Sequence, residues 1–352
     1  MIRSLQSLRF VFIMLVVMSH VIGKSFDFGG ECGVSFFFML SGFILSYAYG
    51  ERVQDGTFRH RRFLVRQLLK FYPLHLLTFL IMALLDARLG QMADGVKLLA
   101  NVLLLQSWVP SDSFYFVANG SSWFLSDLLF FYLVFPAVLR LLLRVSRRAL
   151  AVMVLVVLVF YALLAVGIPQ QLINPLLYAS PATRLLDFSI GILLFRLYRS
   201  AWGRGVLDRA GRLKPLSLTL YELLLVAAVV LSFFVYGQSS PRFRCAALFW
   251  IVLPVVLLSF AATDRLRGRV TMLLHHPLML WLGSISFEIY LTHWVTMRVL
   301  LSLLASLGHA EGGLLQPVNF LLTMVAVIGT SYIAKRCYVD VIYARLSKTM
   351  SL

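Results

Sequence analysis

Apolar residues run through this chain in long blocks, and polar residues fall between them in short, mostly basic clusters. The blocks lie at 7–24, 32–50, 67–86, 122–143, 149–167, 182–199, 217–236, 244–262, 278–303 and 314–335. Each approaches the roughly 20 apolar residues that a helix needs to cross the hydrocarbon of a bilayer. The pattern predicts an all-α integral membrane protein, a bundle of about ten transmembrane helices. The run Val96–Trp108 is shorter and reads as a re-entrant or surface helix.

Composition agrees. Of 352 residues, 60% are hydrophobic and 13% charged, about half the charged share of an ordinary soluble domain. No polar stretch is long enough to fold by itself, so residues 1–352 are read as one polytopic domain with no separate soluble domain. The first block follows Arg3 and Arg9 like a signal peptide but lacks a small-x-small cleavage site, and is read as a retained first helix. The net charge of +17 does not point to nucleic acid, because the Lys and Arg residues sit in short loops beside the apolar blocks. With the N-terminus in the cytoplasm, 25 of them fall on the inner side and five on the outer. That bias predicts that both termini are cytoplasmic. Cys32, Cys245 and Cys337 have no metal-binding or disulfide-framework spacing. His275-His276 is at most a weak metal candidate, and no metal site is expected.

Ionisable residues inside the blocks are where chemistry is expected. His20 stands near the outer end of the first block and Arg9 near its inner end. On a helix these eleven residues are about three turns, so the two share one face, about 16 Å apart. In the second block, Gly33-Val-Ser-Phe-Phe-Phe-Met-Leu-Ser41-Gly42 reads as a close-packing stripe of small residues. Glu31 beside it is placed to pair with Lys24 or His20. Arg59, Arg62, Arg66 and Lys70 have helical spacing and form one basic stripe at the inner surface. The stripe suits anionic lipid and suits equally the phosphates of a nucleotide-like cofactor. Tyr72-Pro73 should kink or restart the helix there.

Asp127, in the fourth block, is placed either to pair with a buried cation such as Arg184 or to orient a histidine. Arg184 and Asp187 have the i,i+3 spacing of a self-contained ion pair. In the ninth block Ser286 and His293 are seven residues apart and share a face, with Glu288 off it. Two histidines on two helices with acids nearby point to proton chemistry. The same residues would also serve a transporter or flippase for a lipid-linked sugar. Against that reading, no half-to-half repeat or pair of broken helices is visible. A non-catalytic scaffold has no use for the buried charges.

These blocks, in this order, resemble acyltransferase family 3 of integral membrane proteins. The resemblance covers essentially the whole chain. It rests on Arg9 and His20, on Gly33–Leu45, and on the basic run ending Arg66-Gln-Leu-Leu-Lys70-Phe-Tyr-Pro73. It rests also on Trp123…Tyr132…Pro136, Arg184…Phe188…Gly191 and Ser286-Phe-Glu-Ile-Tyr-Leu-Thr-His293-Trp294. Gln67 and Lys70 stand where the family usually has arginines, and Leu128 where it often has Glu.

The resemblance implies a ten-helix bundle in the bacterial inner membrane. It also implies acyl transfer from cytoplasmic acyl-CoA, usually acetyl-CoA, to hydroxyls of a surface glycan (exopolysaccharide or O-antigen type) or its lipid-linked precursor. His20 is then base or nucleophile, with His293 and Asp127 beside it as catalytic candidates, and Asp127 or Glu31 sets the tautomer. The cofactor-binding set is Arg9, Arg62, Arg66, Lys70 and Tyr72. Partners are acyl-CoA, the glycan acceptor and membrane lipid, and the sequence is compatible with a homo-oligomer.

Overall fold

Twenty or so apolar residues without β-signals leave the backbone one way to satisfy its hydrogen bonds in lipid, the helix. The computed structural model follows that rule, and it describes residues 2–22, 29–266, 268–306 and 317–349. Lys24, Arg267 and the first residues of the 314–335 block lie outside the described residues. Among the described residues there are no strands.

The main helices are α1 (Arg3–Ile22), α2 (Gly30–Gln54), α3 (His60–Arg88), α4 (Gly95–Val102), α5 (Trp123–Arg144), α6 (Arg147–Gly167), α7 (Pro181–Arg199), α8 (Pro215–Gln238), α9 (Phe249–Ala262), α10 (Pro277–Ser284), α11 (Ser286–Ser306) and α12 (Pro317–Ile333). Nine helical segments among the described residues are long and apolar enough to cross a membrane. This is a multi-pass membrane protein. The block predicted at 182–199 forms α7, which carries Arg184, Asp187, Arg196 and Arg199 within 19 residues and is not among those nine. Pro73 lies inside α3, and the helix runs through it without restarting.

Val96–Trp108 does not cross. Its helix, α4, has eight residues, and the Asp94 side chain caps it by accepting from Val96 N at 2.8 Å. A tight turn at 106–108 follows.

The chain forms two compact units. The first comprises Met1–Phe12, Glu31–Phe58 and Phe130–Ser284. Within it α2 and α7 meet backbone to backbone. A Cβ on Gly42 would lie 2.0 Å from the Phe188 carbonyl oxygen, and one on Gly191 would lie 1.9 Å from that of Met39. Only glycine permits this approach, as the small-residue stripe predicts. Arg184, with no exposed surface, is fully engaged here. It pairs with Asp187 at 2.8 Å and donates to Ser35 Oγ and to the carbonyls of Tyr178 and Cys245. The i,i+3 pair therefore forms. α6 presents Phe160, Leu163 and Val166 outward, each about two-thirds exposed (66%, 68% and 69%). In a membrane protein such a surface faces lipid.

The second unit comprises Ile13–Gly30, Arg59–Leu129 and Ile285–Leu352. In it α11 packs along α12 and α3. Polar side chains join the helices: Thr292 to Ser331 at 2.8 Å, Arg298 to Asp86 at 2.9 Å and Lys335 to Glu288 at 3.3 Å.

Candidate active site

The first half of α11 is buried on all sides over Glu288–His293, and His293 has no exposed surface. The last turns of α1 bring His20 against it. His293 Nε2 lies 3.1 Å from His20 Nδ1, and the rings are stacked with centroids 5.1 Å apart. His293 Nδ1 is 2.7 Å from the Tyr290 carbonyl and 3.1 Å from that of Ile289. His20 is exposed as a residue, and the ring it stacks on, His293, is fully buried. Trp294 meets the His20 ring edge-on, with centroids 5.4 Å apart.

A loop between α4 and α5 holds this arrangement. Asn119, fully buried, donates from Nδ2 to Thr78 Oγ1 of α3 at 3.1 Å and to the Leu291 carbonyl of α11 at 2.9 Å. Its Oδ1 accepts from Ser121 Oγ at 2.8 Å and from the Ser121 N–H at 3.3 Å. The next residue, Gly120, lies flat on the Trp294 indole, where a Cβ would come within 3.4 Å. Ala118, just before, has the left-handed φ of 53° that a β-carbon disfavours. Strain of this kind persists where surrounding contacts fix the turn.

The short segment around α4 is tied to the same place. Ser126 Oγ donates to the Leu104 carbonyl and Ser107 Oγ to that of Trp123. Asn101 donates to the Val117 carbonyl and to Ser122 Oγ, and its own carbonyl accepts from His75 Nε2 at 3.0 Å.

One family model, described as an acyltransferase domain, matches residues 2–336. The chain belongs to acyltransferase family 3. It is 33% identical to "Acyltransferase MdmB" of Streptomyces mycarofaciens over 293 residues, 76% of this chain and 68% of that protein. It is also 42% identical over 50 residues to "Protein 2 in picA locus" of Rhizobium radiobacter, 14% of this chain and 26% of that protein. No solved structure matches. Membership makes this membrane protein an acyltransferase.

Within this acyltransferase the structure brings together two residues singled out from the sequence, His20 and His293. The atom on His20 Nδ1 belongs to His293, where the sequence pointed to Asp127 or Glu31. Glu31 instead accepts from the Tyr236 hydroxyl at 2.7 Å, inside the first unit. Asp127 is fully buried near the start of α5. Arg9 lies on α1 in the first unit.

On α3, Arg62 and Arg66 are half-buried and Lys70 is exposed, while Arg59 precedes the helix. Gln67 is only 7% exposed and lies on the buried face with Phe63, Phe71 and Leu74. A guanidinium there would be buried, which gives a physical reason for the amide. The Tyr72 hydroxyl is committed to the Val102 carbonyl at 2.9 Å, so it anchors the α4 segment.

Sequence reasoning missed Asn119, Thr78, His75 and Asn101, and carried Trp294 only as part of the resemblance. Asn119-Gly120 is a turn signal between two apolar runs. His75 and Thr78 are polar residues inside a spanning block, the same mark that drew attention to His20.

Proposed function

We propose that this acyltransferase moves an acetyl or other short acyl group from cytoplasmic acyl-CoA to a hydroxyl of a surface glycan or its lipid-linked precursor. It works in the bacterial inner membrane, with ten crossings and both termini in the cytoplasm. The charge bias of the loops supports the orientation. Family membership supports acyl transfer. The observation that carries the catalytic reading is the exposed His20 held by its hydrogen bond to a fully buried His293.

In this reading the CoA phosphates lie against Arg62, Arg66 and Lys70. His20 Nε2 takes the proton of the acceptor hydroxyl as its oxygen attacks the thioester carbonyl. The carbon–sulfur bond breaks, an ester forms, and the imidazolium returns the proton to the departing thiolate, giving free CoA.

The test uses inverted inner-membrane vesicles given radiolabelled acetyl-CoA, with wild type beside His20→Gln. Label in a glycolipid or glycan fraction that requires His20 is the expected result. Equal label in the variant overturns His20 as the catalytic group, and no label from any short acyl-CoA in well-inserted protein overturns the donor.

A further inference from the structure

The block predicted as the ninth span is not one helix. It breaks at Ile285, and α11 begins at Ser286. The first N–H groups of any helix have no carbonyl inside that helix, so the break sets the N–H groups of Ser286 and Phe287 as donors within an apolar stretch. The Ser286 side chain stands at the same point. It is fully buried, and its Oγ bonds to none of the described residues. A buried hydroxyl of this kind is costly unless a partner completes it.

The charge at this helix end narrows the partner. Glu288 brings a carboxylate into the same turn, and Lys335 pairs with it at 3.3 Å. The positive end of the helix dipole is thus already matched by an acid. An incoming phosphate would meet that carboxylate. A neutral carbonyl oxygen would meet donors.

Position narrows it further. Ser286 and His293 are two turns apart on α11, so they share a face to within about 20° and lie about 10 Å apart along its axis. The arm of CoA between its phosphates and its thioester is uncharged and contains two amides. The carbonyl carbon of the farther amide is eight bonds from the sulfur, an extended reach of about 10 Å at ~1.2 Å per bond. With the thioester at the His20–His293 pair and the arm along α11, that carbonyl falls beside Ser286.

We infer that Ser286 Oγ and the first-turn N–H groups of α11 form a subsite for the distal amide carbonyl of the acyl donor's pantetheine arm. This rests on acyl-CoA being the donor. Arginines hold the phosphates by charge, and this site aligns the neutral arm so that the thioester arrives at the correct height.

The test compares three donors in membranes carrying wild type, Ser286→Ala or Ser286→Thr: acetyl-CoA, S-acetylpantetheine, and S-acetyl-N-acetylcysteamine. The last keeps only the nearer amide. Ser286→Ala should lower kcat/KM about five- to tenfold for the first two, the loss of one neutral hydrogen bond. It should leave the shortest donor within about twofold, since that donor has no group to lose at the site. Ser286→Thr, which keeps a hydroxyl, should restore most of the loss. Where turnover of the shortest donor is too slow to follow, its inhibition constant against acetyl-CoA gives the same comparison. An equal fall for all three donors, or no fall for any, overturns the subsite. If wild type uses none of the three, the acyl-CoA reading itself falls.

Discussion

His293 Nε2 lies 3.1 Å from His20 Nδ1, and this contact fixes which nitrogen of His20 can act. The Tyr290 and Ile289 carbonyls at His293 Nδ1 can only accept, so Nδ1 carries its hydrogen. In the neutral pair His293 Nε2 is then an acceptor. His20 Nδ1 must carry a hydrogen to donate to it, and the His20 Nε2 lone pair is left as the basic atom. A backbone carbonyl thus sets the tautomer of one ring, and that ring sets the other. The chain of constraints starts in the backbone of α11 and ends on His20 Nε2.

If the pair acts as a unit, removing only the acceptor should cost catalysis without costing binding. His293→Phe keeps a flat ring to stack on His20 and deletes the lone pair. Its kcat should fall about 10- to 100-fold with KM for acyl-CoA unchanged, while His20→Gln should lose the full general-base contribution of about 10²–10⁴. The double variant should be no worse than His20→Gln, because groups that act together are not additive. Steady-state acyl-transfer rates of the four proteins decide it. Full additivity would show that the two rings act independently.

Asn119 holds α3 and α11 at the level of the site. Asn119→Ala removes two donated and two accepted hydrogen bonds and leaves the buried Leu291 carbonyl without that donor. Each such orphan costs about 1–3 kcal/mol, so the purified variant should melt several degrees lower. Its transfer rate should fall as well, because Gly120 and Trp294 lose their seat. Asn119→Asp keeps the two acceptor contacts to Ser121 and turns the donors into repelling oxygens, so it should be no better than Ala. A variant with wild-type melting and wild-type rate would remove Asn119 from the scaffold of the site.

Much of this molecule was legible because lipid leaves a chain few options. The long apolar blocks gave helices, Arg184 and Asp187 paired at the spacing that predicts it, and Gly42 and Gly191 meet their partners as a small-residue stripe should. One ionisable residue from each of two blocks, His20 and His293, came together. What the sequence hid is long-range and polar. Nothing in the spacing of Asp127 or Glu31 said that a second imidazole, 273 residues away in sequence, would take the Nδ1 position. Asn119 and Asn101 act through backbone carbonyls, which carry no sequence signature. The break at Ile285 falls in Gly283-Ser284-Ile285-Ser286-Phe287-Glu288, whose polar residues were read by the face they share and not as a place where the helix stops.

The glycine contact gives a sharp packing test. At Gly42 and Gly191 the atoms in the way are backbone carbonyl oxygens on the facing helix, which cannot swing aside as a side chain would. Gly42→Ala and Gly191→Ala should therefore force α2 and α7 apart, at a cost of about 1–3 kcal/mol or more each. Gly329→Ala is the control. It lies within α12 with nothing within 4 Å of an added Cβ, and should be neutral or stabilising by up to about 1 kcal/mol, as alanine favours a helix. Thermal unfolding in detergent separates the three. Equal behaviour would mean that the α2–α7 contact is looser than drawn.

The start of α1 depends on pH through Asp264. Its carboxylate accepts from the Ser4 N–H at 2.7 Å, the Arg3 N–H at 3.2 Å and His275 Nε2 at 3.0 Å. Burial alone would raise its pKa, but these donors outweigh burial and hold it below the ordinary carboxylate value. A depressed folded value means that the stabilisation is complete above the unfolded pKa of about 3.9 and fades as pH falls through the lower folded value. Stability should therefore be insensitive to this group from neutral pH down to about 5, and should drop below about 4. Asp264→Asn lacks the charge that the first turn of α1 prefers, so it should melt lower than wild type at neutral pH. The two curves should converge toward acid, where wild type has also lost its charge. Melting temperature against pH for both proteins checks this, and parallel curves down to pH ~3 would assign the acid sensitivity to other carboxylates.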